Sequence, residues 1–441
     1  MNKFILTGFI AFFIFVETSF SQDILTPKDS ILETASLETC IKYALVHKPL
    51  IQQSMLDQES IEWVIKGKLA DWYPQIGFDY NYQRTFQLPT SFSNNNYFQS
   101  GTLNNSSSTF SIYQSIFNKD IFLAKQSASE VRNQMKETVE NDKIQVIVNV
   151  TKSFYDLLLT KKQIDILNSD ILRLETSYKT AYNQYMNGIV DKIDHKRASI
   201  SLNNAKAQLK NQQELLKSKQ AVLKNAMGYS TNGNFTLLYD TIRMQTELFI
   251  DTLKTVNYSN RIEYKQLETI KRLQEFNLQY TKWSYYPSVS AFGNYNFNFL
   301  NNDLGKLYGT NYPNSFAGLK LSLPLFQGNK RVYQSKTAEI ALKRVDWDLI
   351  QLRNTINTQY EQALSVYKSS LNDYIVLKEN LQLANEVYNT IQLQYKSGVK
   401  NYLEVITAET DLRNAQVNYT NALYQVLAAK VDVQQALGNI N

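Results

Sequence analysis

The chain has 441 residues, with 46 Lys and Arg against 40 Asp and Glu for a net charge of +6, and only 14 Gly, 7 Pro, 1 Cys and 2 His. One cysteine, Cys40, excludes an internal disulfide framework and a zinc cluster, and His47 and His195 leave little material for a metal centre or a His-based catalytic group. The charge is spread along the chain without a basic block, which argues against a nucleic-acid partner, and the scarcity of turn residues points to a few very long elements.

The N-terminus reads as a short basic start, an apolar run from Phe4 to Val16 and small residues before Gln22. That pattern predicts a secretory signal peptide over 1–21, because the run is too short for a stable bilayer-spanning helix. No cysteine follows it, so no lipid anchor is expected. A helix of about 35 residues is predicted to begin near Leu37, and an alternating segment follows at Trp72-Tyr73-Pro74 through Tyr82. A polar loop rich in Asn and Ser comes next, over 87–107, and a second strand leads to Ile116-Phe117-Asn118. Then the pattern becomes helical for nearly 70 residues, stepping by four and three through Leu167, Ile171, Leu174, Tyr178, Ala181 and Tyr185. At 1.5 Å per residue this helix would reach about 100 Å.

The helix breaks at Gln184-Tyr185-Met186-Asn187-Gly188, and a returning helix runs to Gly228. The same break recurs 210 residues later as Gln394-Tyr395-Lys396-Ser397-Gly398, with Gly438 as the counterpart of Gly228. Residues 178–228 align with 388–438 without a gap, identical at twelve of 51 positions. The stripe repeats too, as Leu377, Leu381, Ala384, Tyr388, Ile391 and Tyr395. Two copies of one unit explain the double break. The predicted organisation is a first repeat over 22–228, a linker over 229–256 and a second repeat over 257–441, each a helix, two strands and a helical hairpin.

The strands point to a membrane. Ile76, Phe78, Tyr80 and Tyr82 alternate with polar residues, as do Val289, Ala291, Tyr295, Phe297 and Phe299, and Leu319, Leu321 and Leu323. An apolar, aromatic face opposite a polar one over about ten residues suits an outer-membrane strand. Four strands cannot close a barrel or leave an edge in hydrocarbon, so several chains must contribute strands.

The order of these parts resembles the TolC-type outer-membrane efflux family. The residues that carry the resemblance are Ser36-Leu37-Glu38-Thr39-Cys40, Tyr73-Pro74 and Tyr286-Pro287 before a strand, Leu323-Pro324-Leu325-Phe326, and Tyr395-Lys396-Ser397-Gly398-Val399 through Leu403-Glu404-Val405-Ile406. The resemblance implies a mixed α/β membrane protein: a homotrimer whose twelve-stranded transmembrane β-barrel, four strands per chain, continues as a coiled-coil α-helical barrel in the periplasm. It further implies a passive exit duct for a tripartite efflux pump or type I secretion system, in contact with outer-membrane lipid. Its partners would be a periplasmic adaptor protein and an inner-membrane pump, with no cofactor and no metal. Position by position, Gly188 and Gly398 match hairpin tips where adaptors dock, and Asp194, Tyr395 and Lys400 match the lock of the closed tip. Glu404 matches an acidic ring around the aperture. Lys400 stands where the family often has arginine, Thr407 where some members have a second acid, and Ile193 where a polar lock residue is common.

Two other classes compete on the residues alone. A secreted or surface-attached structural coiled-coil protein would share the repeat and the signal peptide, but would not need paired aromatic strands at the same place in each copy. An enzyme finds no support, because no phosphate loop, nucleophile motif or paired His and Cys is present.

Overall fold

The computed structural model describes residues 33–93, 95–189, 191–239 and 241–440; the signal peptide expected over 1–21 lies outside them. The chain opens with strand β1 (Thr34–Ala35) and helices α1 (Leu37–His47) and α2 (Pro49–Ala70). The single long opening helix expected near Leu37 is therefore two helices, because Pro49 cannot donate a backbone hydrogen bond and restricts Lys48 to extended backbone, at φ −65° and ψ 122°. Ser36 starts α1 with a capping box to Thr39.

Strand β2 (Gln75–Arg84) leads to a short hairpin, β3 (Thr90–Ser93) and β4 (Asn96–Gln99), and then to β5 (Asn104–Phe117). The polar loop read from the sequence thus contains a two-stranded ribbon, in which the Phe92 and Tyr97 rings pack across the strands, tilted by 50° with 4.9 Å between ring centroids. Helix α3 (Lys119–Met186) and its returning partner α4 (Lys192–Met227) form the first hairpin. The linker carries β6 (Thr236–Leu237), which pairs with β1 in parallel, and the short helix α5 (Thr241–Thr246).

The second half follows as α6 (Ile262–Trp283), β7 (Ser288–Asn301), a 3-10 turn at Leu304–Gly309, β8 (Asn314–Ser322), α7 (Lys330–Lys396) and α8 (Tyr402–Ala436). Here too the opening helix is interrupted, by a 3-10 turn at Tyr258–Asn260 before α6. The long helices have 68 and 67 residues.

Strands β2, β5, β7 and β8 form one antiparallel sheet in that order. Its register puts Phe78 opposite Phe110, Phe110 opposite Tyr295, and Gly293 opposite Ala317. Ile76, Phe78, Phe110, Ile112, Ala291, Tyr295, Leu319 and Leu321 therefore share one face, while Asp79, Thr109, Asn296 and Asn314 share the other, where Phe292 and Phe316 form an aromatic pair at 6.3 Å between ring centroids. Each outer strand, β2 and β8, leaves one edge unpaired among the described residues. No helix among the described residues is long and apolar enough to cross a membrane.

The largest core sits at mid-height of the helices. It joins Tyr43 of α1, Phe154 and Leu158 of α3, Tyr367 of α7, Leu427 of α8 and Leu248 of the linker. Toward the hairpin tips the core thins into small clusters, such as Ile171 and Leu174 against Leu202 and Ala205. These are the stripe residues of the repeat, and burial of that stripe pairs each long helix with its returning partner.

Candidate gate at the hairpin tips

Both tips are built alike. At the first, Gly188 adopts φ +68°, and the Ile189 N–H donates to the Gln184 carbonyl at 2.8 Å. At the second, Gly398 adopts φ +77°, and the Val399 N–H donates to the Gln394 carbonyl at 2.9 Å. Each glycine takes the left-handed position that ends a helix, and the bond behind it satisfies a carbonyl the helix leaves free.

The returning helices then restart with side-chain caps. Asp191 caps α4, its carboxylate accepting from the Ile193 N–H at 3.4 Å. Asn401 caps α8 through a reciprocal pair: the Glu404 N–H donates to Asn401 Oδ1 at 3.1 Å and the Asn401 N–H to Glu404 Oε2 at 3.3 Å. The other oxygen of Glu404 accepts from Lys400 Nζ at 2.9 Å. That ammonium holds the Glu404 carboxyl below its usual range.

Across the two hairpins, Tyr395 Oη donates to Gln184 Oε1 at 2.6 Å. Tyr402 is buried against Ala181, Ala198 and Val405, with the Tyr395 ring 5.9 Å away. Burial raises the ionisation of the Tyr395 hydroxyl above its usual value, so it stays a donor. His195 lies among Tyr178, Tyr182 and Tyr185, with ring centroids at 5.1, 5.2 and 6.1 Å.

The structure pairs the expected lock residues differently. Tyr395 bonds Gln184 and not Asp194, and Lys400 bonds Glu404 one turn ahead on its own chain segment, not Asp194. The Asp194 carboxylate makes no hydrogen bond or ion pair to a described residue; its charge lies close enough to disfavour ionisation of Tyr395 and Tyr402. The family resemblance placed Asp194, Tyr395, Lys400 and Glu404 near the tips but could not choose among polar neighbours. Asn401-x-x-Glu404 is a legible capping box, and it explains why Glu404 and Lys400 face each other. Gln184 was equally visible, as the first residue of the repeated break. Ile193 is exposed, and Thr407 returns its hydroxyl to the Leu403 carbonyl at 3.0 Å.

A wall of very long paired helices, ending in polar-locked tips and joined to an open-edged sheet with one apolar face, is the architecture of an outer-membrane channel subunit. The sequence model of the outer membrane efflux protein family matches residues 40–229 and 275–439, and the chain belongs to that family. It is 19% identical over 432 residues to the outer membrane protein TolC of Escherichia coli (strain K12), covering 93% of this chain and 84% of that protein. Among solved structures, the outer membrane protein VceC of Vibrio cholerae superposes with a TM-score of 0.72 at 14% identity, covering 91% of this chain and 96% of that one. The open state of the Neisseria gonorrhoeae MtrE outer membrane channel does so with a TM-score of 0.72 at 15% identity, covering 91% and 88%. The protein is a TolC-like efflux channel of the bacterial outer membrane.

Proposed function

We propose that the protein is a passive exit duct for a tripartite efflux pump or a type I secretion system, opened at its hairpin tips by a periplasmic adaptor. Residues 22–228 and 257–441 act as two copies of one unit joined by 229–256, and three chains complete the duct. The observation that carries this reading is the four-stranded sheet with both edges open. Ile76, Phe78, Leu319 and Leu321 stand exposed on its apolar face. An unpaired edge inside hydrocarbon costs several kcal/mol per backbone group, by order of magnitude. Membrane barrels begin at about eight strands, so further copies must seal the sheet. The tips support a docking role, because Met186, Ile189, Leu393, Val399 and Leu403 are exposed apolar residues around the two glycines.

Orientation is tested by labelling. The native Cys40 is fully buried and should stay silent. A cysteine at Asn96, beside the Asn95 turn, should react with a membrane-impermeant maleimide on whole cells, while one at Asn187 should react only after the outer membrane is opened. Equal labelling of both on intact cells would reverse or abolish the assigned topology.

The gate is tested by a double-variant cycle in planar bilayers. Tyr395→Phe and Gln184→Ala each remove the same inter-hairpin hydrogen bond. A half-exposed bond of this kind contributes about 0.5–1.5 kcal/mol, so each variant should raise the open fraction by roughly two- to tenfold. The double variant should open no more than the stronger single one. Additive effects would show that the two side chains act independently. In contrast, Glu404→Ala is expected to fray the start of α8 as well as remove a charge, so its conductance alone is not a reading of the aperture.

A further inference from the structure

Between the hairpins, away from the tips, lies a partly open polar cavity of about 90 Å³. It is lined by Asp170 and Leu174 of α3, Ser201 and Asn204 of α4, and Ile406, Glu409, Thr410 and Arg413 of α8. Glu409 is only 2% exposed. One of its oxygens accepts from Ser177 Oγ at 2.9 Å, and the other, Oε2, is buried with no partner among the described residues. Asp170, also buried, takes both nearby cations: Arg173 Nη2 at 3.1 Å and Arg413 Nη1 at 3.5 Å. Arg173 in turn lies over the Tyr388 ring at 5.9 Å.

The charges that face Glu409 are thus Asp170 and Arg173 from α3 and Arg413 from its own helix, with the hydroxyls of Tyr388 on α7 and Tyr402 on α8. From α4 only the uncharged Ser201 and Asn204 reach the cavity. Both arginines turn their terminal nitrogens to Asp170, and Arg173 Nε stays unpaired rather than reaching Glu409, so among the described residues the Ser177 hydroxyl is the one donor to Glu409. A buried carboxylate in that position is unfavourable, and a neutral carboxyl is not.

We infer that Glu409 is a proton-binding site between the two hairpins: its neutral form holds α8 against α3, and its ionised form admits water to the cavity and loosens that contact. A cavity of this size and polarity can hold water. Burial first, and then the Asp170 charge, push the Glu409 carboxyl above its usual range, while Ser177 and Arg173 act the other way. A carboxyl raised in the packed state contributes stability that is fully present below its unpacked pKa and is lost as pH rises through the raised one. The hairpins therefore grip more tightly in acid and loosen toward neutral pH. Each pH unit by which packing raises the carboxyl makes about a tenfold difference in the hairpin equilibrium across the titration.

The test uses the full chain in detergent and follows deuterium exchange over 402–415, corrected for intrinsic rates, from about pH 5 to about pH 8, above the ordinary carboxylate value. Wild type should lose protection as pH rises. Glu409→Gln should be protected and flat across the range, and Ser177→Ala should keep the transition but move it to higher pH, since it removes the donor to the ionised form. A wild-type profile without pH dependence, or a Glu409→Gln variant that keeps the wild-type profile, overturns the inference. If Glu409→Gln does not fold, the wild-type and Ser177→Ala midpoints decide: no upward shift in Ser177→Ala overturns it. The inference builds on the channel reading only for its consequence, and exchange does not require a pore. A protein that shows the profile but conducts nothing would sink the duct and leave the proton site.

Discussion

Gly438→Ala should collapse the folded protein, while Gly398→Ala should leave it nearly intact. Both residues sit at positive φ, +70° and +77°, and both end a long helix. Their surroundings differ. A Cβ on Gly438 would lie 2.7 Å from the Asn260 carbonyl oxygen, 2.8 Å from its carbon and 3.1 Å from the Arg261 nitrogen. Those are backbone atoms, and Arg261 is itself buried, forking onto Glu263 at 2.9 Å through both contacts and donating to the Ala436 carbonyl at 3.2 Å. Nothing there can give way. The left-handed conformation costs an alanine about 1–2 kcal/mol, and the overlap adds roughly 1–3 kcal/mol of overpacking.

Gly228, the equivalent residue of the first half, is similarly tight, with its Cβ position 2.9 Å from both the His47 carbonyl oxygen and Lys48 Cα. At Gly188 and Gly398 no atom lies within 4 Å of the added carbon, so only the conformational cost remains. Assembled protein and its resistance to heat in detergent should therefore fall far more for Gly438→Ala and Gly228→Ala than for the tip variants. An equal loss at Gly398 would mean that the tip glycine meets a neighbour a single chain does not contain.

Tyr367→Ala should be the most damaging change in the mid-height core. Tyr367 is fully buried on α7, and its hydroxyl donates to the Leu248 carbonyl at 2.9 Å while accepting from the Ile250 N–H at 3.2 Å. Seven residues earlier on the same helix, Tyr360 Oη donates to the Lys254 carbonyl at 2.6 Å. These two tyrosines, two turns apart, fasten the linker to the helical wall. Truncating a large buried aromatic costs about 3–5 kcal/mol, and the buried Leu248 carbonyl and the half-buried Ile250 N–H would lose their partner as well. Tyr367→Phe keeps the ring and should cost about 1–3 kcal/mol. The readout is protease cleavage within 229–256: rapid for the alanine variant, intermediate for phenylalanine, slow for wild type. A Tyr367→Ala protein as resistant as wild type would show that the linker is held by other contacts.

The features legible in the residues were those that depend on neighbours close in sequence. The stripe from Leu167 to Tyr185 and its copy from Leu377 to Tyr395 mark a helix face, because side chains three and four apart meet on one side. The glycine breaks mark helix ends, because only glycine takes positive φ without strain. Alternation at Ile76–Tyr82 and Val289–Phe299 marks strands with one apolar face, and the family resemblance joined these parts into a channel. The breaks at Lys48–Pro49 and Asn401-x-x-Glu404 were equally local and could have been read.

What only the tertiary structure decided is which side chains meet across elements. Tyr395 had several polar residues within plausible reach, and the approach of α7 to α3 selected Gln184 over Asp194. Lys400 found Glu404 because a helix start placed them one turn apart, not because a lock required it. Glu409 reads in the sequence as one more acidic residue on a long helix. Its burial follows from the rotation of α8 about its axis, which is set by Tyr402, Val405, Ala408 and Leu412 packing on the first hairpin and on α7. Periodicity is a property of a single helix, whereas a buried charge depends on how two helices are turned toward each other, and that angle comes from contacts more than 200 residues apart in the chain, as between Ser177 and Glu409 at a separation of 232.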